Sequence, residues 1–289
     1  MRDQAQGLRE LAARARGGDD AAVPLPGRVL AVASGKGGVG KTSLVANLGS
    51  VLARRGQKVT VLDADFGLAN LDILLNLNPA RNLGHLLRGE ARADQVVLEA
   101  GPGLRVIPGA SGVQDLADLG GEERRALLAS LAPLTGGQDF VLVDAAAGIG
   151  HNVVDLCRAA GEVLLVTNAE PTSLTDAYGL VKVVWARDAR VEVRLVVNAV
   201  AGPDEGRAVH AKLDQVVARF LQRRLSYLGY IARDEHVARS AQRQTPFVLA
   251  YPRCPASRCV EALAGALLES APPSADQGFW HRLLAAGDG

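Results

Sequence analysis

The sequence predicts an α/β fold, a mostly parallel β-sheet covered by helices on both faces. Three observations predict it. Short apolar runs recur at Arg28–Ser34, Lys58–Leu62, Leu104–Ile107, Phe140–Val143, Val163–Thr167 and Val193–Val197, with helical stretches between most of them. The runs are apolar on both faces of an extended chain, as strands of a parallel sheet are when crossover helices cover both sides. A glycine-rich stretch, Gly35-Lys36-Gly37-Gly38-Val39-Gly40-Lys41-Thr42, lies between the first run and a helical segment reaching Arg55. That strand, loop and helix context is the one a phosphate-binding loop requires.

Composition agrees and narrows the class. The 289 residues are 48% hydrophobic, enough for one substantial core. Only 4% are aromatic, so the core is built mainly from Ala, Val and Leu. A formal net charge of +1 gives no bulk attraction to nucleic acid, which is not expected as a partner. Cys157, Cys254 and Cys259 form no paired framework and read as reduced thiols in a cytoplasm. No neighbouring His or Cys cluster completes a zinc pattern around Cys254 and Cys259. The start, Met1-Arg2-Asp3-Gln4, carries no apolar signal region. No apolar run reaches the ~18 residues that suggest a membrane span.

The elements follow in order. Residues 4–16 read as a short amphipathic helix with Leu8, Leu11, Ala12 and Ala15 on one face. Gly17 to Asp20 end it, and Pro24 and Pro26 keep the next stretch extended. Residues 1–20 are therefore an N-terminal helix and linker, and residues 21–270 the main domain. In its loop the glycines let several N–H groups converge on phosphate oxygens, aided by the N-terminus of the following helix. Lys41 supplies positive charge to the β- and γ-phosphates, and Thr42, followed by Ser43, offers a hydroxyl to Mg²⁺. The second strand leads into Asp63-Ala64-Asp65, two carboxylates on one side of an extended segment at the mouth of the ligand crevice. Phe140 to Val143 end in Asp144, which suits holding a water on Mg²⁺. Asn198 closes the run Leu195-Val196-Val197 and can present both donors and an acceptor to an adenine edge, or form a turn. Residues 271–289 hold a proline-containing linker and a last short element. Its Phe279, Trp280, Leu283 and Leu284 share one helical face beside Arg282, which reads as an interfacial membrane helix or as a face packed on the protein itself.

The loop GKGGVGKT, with Lys36 near its start, resembles the deviant Walker A loop of the MinD/ParA family of P-loop ATPases. The resemblance implies an ATP-sandwich homodimer in which Lys36 acts in trans on the partner's nucleotide, with ATP and Mg²⁺ as ligands. It further implies that Asp65 orients the attacking water and that Asp63 sits near the metal. Catalytic roles are then expected of Lys36, Lys41 and Asp65, and metal-site roles of Thr42, Asp63 and Asp144. The stretch Ala145-Ala146-Ala147-Gly148 resembles the family's switch II loop but has Ala145 where Ser or Thr is common. That departure bears on hydrolysis rate more than on binding.

Longer segments resemble the flagellar-number branch of the family, the FlhG/FleN regulators. They are Asp3 to Arg9 (DQAQGLR), Asp65 to Asp72 (DFGLANLD), Ile107 to Gly112 (IPGASG) and Glu170 to Tyr178 (EPTSLTDAY). The resemblance implies that Asp3, Gln4, Ala5, Leu8 and Arg9 stimulate an FlhF-like GTPase of the signal-recognition-particle type. It also implies reversible association with the inner face of the cell membrane. Flagellar switch components or transcription regulators are further candidate partners. A MinD-like division-site ATPase and a ParA-like DNA-partition ATPase are the alternatives. For the second, Arg219, Arg223 and Arg224 are the residues that would serve DNA, although they more simply complement a helix C-terminus.

Overall fold

Among the described residues, eight strands form one sheet in the order β3-β4-β2-β5-β1-β6-β7-β8. They are β1 (Arg28–Ser34), β2 (Val59–Ala64), β3 (Leu98–Gly101), β4 (Leu104–Ile107), β5 (Phe140–Ala147), β6 (Glu162–Thr167), β7 (Glu192–Val200) and β8 (Ser226–Ala232). Every pairing is parallel except β3 with β4, which is antiparallel at one edge. The computed structural model describes residues 26–65, 70–109, 130–272 and 278–286. The helix expected at residues 4–16, with Asp3, Gln4, Ala5, Leu8 and Arg9, lies outside them.

Alternation along the central strands sorts the core into two layers. Ala31 and Ala33 of β1 and Val141, Val143 and Ala145 of β5 face one layer; Leu30, Val32, Phe140 and Leu142 face the other. The first layer is closed by α2 (His151–Ala160), α3 (Pro171–Arg187) and α4 (Pro203–Leu221) through residues such as Val153, Leu180 and Leu213. The second is closed by α1 (Lys41–Arg54) and α6 (Pro255–Glu269) through Leu44, Leu48, Val260 and Leu263. Between β8 and α6 runs α5 (Glu235–Gln242). Strands buried from both sides are why the runs read as continuously apolar.

Two details differ from the expectation. β5 continues past Val143 to Ala147, and β2 continues past Leu62 to Ala64, so Asp144 and Asp63 lie on the sheet itself. β3 and β8 were not anticipated. β3 is a four-residue, half-exposed edge strand, too short to stand out as an apolar run. β8 carries a bulge at Leu228-Gly229, where the register with β7 shifts and Gly229 has φ +155°.

The last helix, α7 (Phe279–Ala286), follows the linker after Ser270 and packs on α2. Phe279, Trp280 and Leu283 are buried in the same apolar layer as α2. The Trp280 indole donates to the Thr135 hydroxyl at 2.7 Å, and Arg282 donates to the Ala160 carbonyl. The Leu284 side chain lies outside the described residues. The departing end of α6 is tied to the sheet by Arg28, whose guanidinium pairs with the fully buried Glu162 at 2.6 Å and bonds Ser270. Arg194 joins the same group through Glu162 and Ser270.

Candidate functional site

The glycine-rich loop joins β1 to α1 above the sheet centre. Gly35 and Gly40 are each demanded by geometry. A Cβ on Gly35 would lie 2.1 Å from the Asp176 backbone, and one on Gly40, at φ +96°, would lie 2.3 Å from the Asn198 amide. Gly40 caps α1 without a side-chain hydrogen bond. The first-turn N–H groups of α1 have no intrahelical acceptor and no side-chain cap, the arrangement that binds an anion. Lys41 is buried, makes no direct ion pair among the described residues, and acts on Asp144 through its charge. A buried ammonium beside open backbone N–H groups fits a phosphate chain.

Opposite the loop stand the carboxylates. Asp63 and Asp144 are register partners on β2 and β5, and both are 1% exposed. Asp63 accepts from the Asp65 and Leu71 backbone N–H groups. Burial first, and then the Asp144 charge, push Asp63 up to about 7. Burial pushes Asp144 up to about 6, against the opposing pull of Lys41 and the Thr42 hydroxyl. Neither Asp144 oxygen has a hydrogen-bond partner with full geometry among the described residues. Two adjacent buried carboxylates, one of them orphaned, are a site that a divalent cation and its water would satisfy. Mg²⁺ fits these residues on that observation. The side chain of Ala145, next along β5, points to the opposite layer and is fully buried there. The hydroxyl it lacks is therefore not on the carboxylate side of the strand.

Lys36 is where the sequence left most unsaid. Its ammonium donates to Glu170 at 2.9 Å and to the Thr172 hydroxyl at 3.1 Å, at the start of α3. The hydrogen bond and charge of Lys36 hold Glu170 below its ordinary range. Glu170 and Thr172 were visible only as part of a matched segment; the contact spans 134 residues and has no local signal. Asn198 also does more than expected. Its Nδ2 donates to the Val39 carbonyl at 2.7 Å and its Oδ1 accepts from Ala199. It braces the phosphate loop and still keeps one donor and one acceptor lone pair.

Two further groups make contacts within the fold. Arg223 stacks on Trp185 at 4.2 Å, Arg224 pairs with Asp214 at 2.7 Å, and Arg219 lies over Phe220. These arginines have intramolecular roles. Cys254 is not isolated, since Asp234 and His236 converge on it. Asp234 is already committed there, accepting from the His236 and Ala256 N–H groups and from the His236 ring. Although burial raises it, those donors hold its carboxyl far below the usual range.

Residues 30–247 match the family of CobQ/CobB/MinD/ParA nucleotide binding domains. The antiactivator FleN of Pseudomonas aeruginosa is 43% identical over 239 residues, covering 83% of this chain and 85% of its own length. The flagellum site-determining protein YlxH of Helicobacter pylori is 34% identical over 265 residues, covering 89% and 90%. Among solved structures, the cell division ATPase MinD of Pyrococcus furiosus superposes with a TM-score of 0.70 at 27% identity, covering 84% of this chain and 99% of that one.

Proposed function

The chain belongs to the CobQ/CobB/MinD/ParA nucleotide-binding family and is an ATPase, and from that premise we propose that it is an ATP-dependent dimerising switch in flagellar regulation. One observation carries the switch. The phosphate-loop lysine that does not enter its own loop, Lys36, is held outside it by Glu170 and Thr172 on an exposed face. A cation held at the surface by an exposed pair is released at little cost, since such pairs contribute only about 0–1 kcal/mol.

In the proposed cycle the open N–H groups of α1 and Lys41 bind the phosphates of ATP. Thr42, Asp63 and Asp144 hold Mg²⁺ and its water, and Asn198 contacts the adenine edge. When bound there, Mg²⁺ would supply positive charge to the transferred phosphoryl group. Two subunits close face to face, and Lys36 leaves Glu170 for the partner's phosphates. Asp65 orients the water whose oxygen attacks the γ-phosphorus, while the bond to the ADP oxygen breaks. Positioning and charge carry the rate in such sites.

The two ends of the chain are the proposed outputs. No helix of the described residues is long and apolar enough to cross a membrane. The Phe279, Trp280 and Leu283 face of α7, with Leu284 beside it, is proposed to leave α2 in the dimer and lie in the membrane surface. Two copies then bind with more avidity than one. Asp3, Gln4, Ala5, Leu8 and Arg9 are proposed to act on an FlhF-like GTPase. The similarity to the antiactivator FleN and to a relative named as flagellum site-determining supports this branch over a division-site role. The test is to add a peptide of residues 1–20 to the cognate GTPase. A rise in GTP hydrolysis supports the assignment, and an unchanged rate removes the flagellar output.

A further inference from the structure

A cavity of about 560 Å³ lies along the free edge of β8, apart from the phosphate loop. Its walls come from the start of α4 with Arg207, the edge of β8 with Tyr227 and Tyr230, and the start of α6 with Arg258. None of the residues assigned above to phosphate, metal or adenine lines it. Its volume is within the roughly 300–1,000 Å³ of small-molecule sites.

The chemistry of the lining is one-sided. Among the described residues no acidic one lines the cavity, and the floor is apolar. Arg207 shares one guanidinium nitrogen with Asp204 at 2.5 Å. Arg258 is exposed, and its side chain has no hydrogen bond or ion pair among the described residues. Tyr227 packs on His210 and its hydroxyl is buried without a hydrogen-bond partner. Among the described residues no strand pairs with the outer edge of β8, and the bulge at Leu228-Gly229 breaks its regular spacing. Such a bulge resists the addition of another strand, so the space suits a compact molecule and not an extended peptide.

We propose that this cavity is a second ligand site, which takes a ring-bearing organic monophosphate with its ring on the apolar floor beside Tyr230 and its phosphate between Arg258 and Arg207. Planar guanidinium groups are suited to bidentate phosphate contacts. The site is distinct from the nucleotide loop and does not depend on the switch described above.

The test is calorimetric titration of the full chain with its phosphate loop saturated by Mg-ADP. The probes are guanosine monophosphate and phenyl phosphate, with guanosine and phenol as uncharged counterparts. A phosphate probe should bind one per chain, and its uncharged counterpart at least tenfold more weakly. Arg258→Glu should weaken the phosphate at least tenfold with unchanged ADP affinity and thermal midpoint. Ala262→Trp, an exposed lining position, should block the cavity without touching the core. Failure of both phosphates to bind would overturn the proposal. So would equal binding by Arg258→Glu and the parent chain, or binding of guanosine as tight as that of its monophosphate.

Discussion

Lys36 carries the most specific claim at the scale of a single residue. If it serves the partner's nucleotide, Lys36→Ala and Asp65→Ala subunits are each inactive alone but complement when mixed. In a mixed dimer, the site with its own Asp65 receives Lys36 from the other subunit. Random mixing makes half the dimers mixed with one working site each, so turnover recovers to about a quarter of the parent rate for a two-fold dimer. Absence of recovery, with both variants still dimerising, would place Lys36 in its own site. The carboxylate pair makes a second claim. Asp63 is pushed up to about 7 and Asp144 up to about 6, both from 3.8. From about pH 4 to 7 the folded, nucleotide-free protein holds more protons than the unfolded chain, so this pair lowers stability as pH rises through that window. Thermal melts between pH 5 and 7.5 should show a falling contribution that Asp63→Asn flattens. Mg-ADP should stabilise more at pH 7.5 than at pH 5. An identical pH slope in Asp63→Asn would remove this account. These residues were legible in the sequence as types and positions. The coupling of Asp63 to Asp144 was not, because it depends on the register between strands 81 residues apart in sequence.

At the scale of elements, α7 decides the membrane question. Its apolar face is buried on the chain itself, held by the contact from Trp280 to Thr135 and by Arg282 at the end of α2. Thr135→Val removes the acceptor for the indole while leaving the face of α7 intact. The docking weakens by about 1–3 kcal/mol, the cost of leaving the buried indole N–H unsatisfied. Binding of the nucleotide-free variant to anionic lipid vesicles, read by co-sedimentation, should rise severalfold. Binding no stronger than that of the parent chain would argue that α7 is a permanent part of the core. The sequence showed the amphipathic face but not its cover, since a Phe, Trp and Leu stripe looks the same against a membrane as against α2. The strands were legible where both faces are apolar, as in Leu30 to Ala33. β8 was not, because its Ser-Tyr-Leu-Gly-Tyr pattern is interrupted by the bulge and exposed along one edge. The anchor of Arg28, Glu162, Arg194 and Ser270 had no sequence signal, since it joins residues from three strands and the end of α6.

For the whole molecule, one sheet places the phosphate loop, both buried carboxylates and Asn198 at the same end, while α7 closes the flank on α2. ATP at the loop is then the event that can pair two such surfaces and change what α7 covers. Sedimentation equilibrium of Asp65→Ala, which should bind ATP and turn it over slowly, tests this most directly. The account predicts a species near twice the 30.2 kDa chain mass with Mg-ATP and the single-chain mass with Mg-ADP. A single-chain mass under saturating Mg-ATP would contradict it.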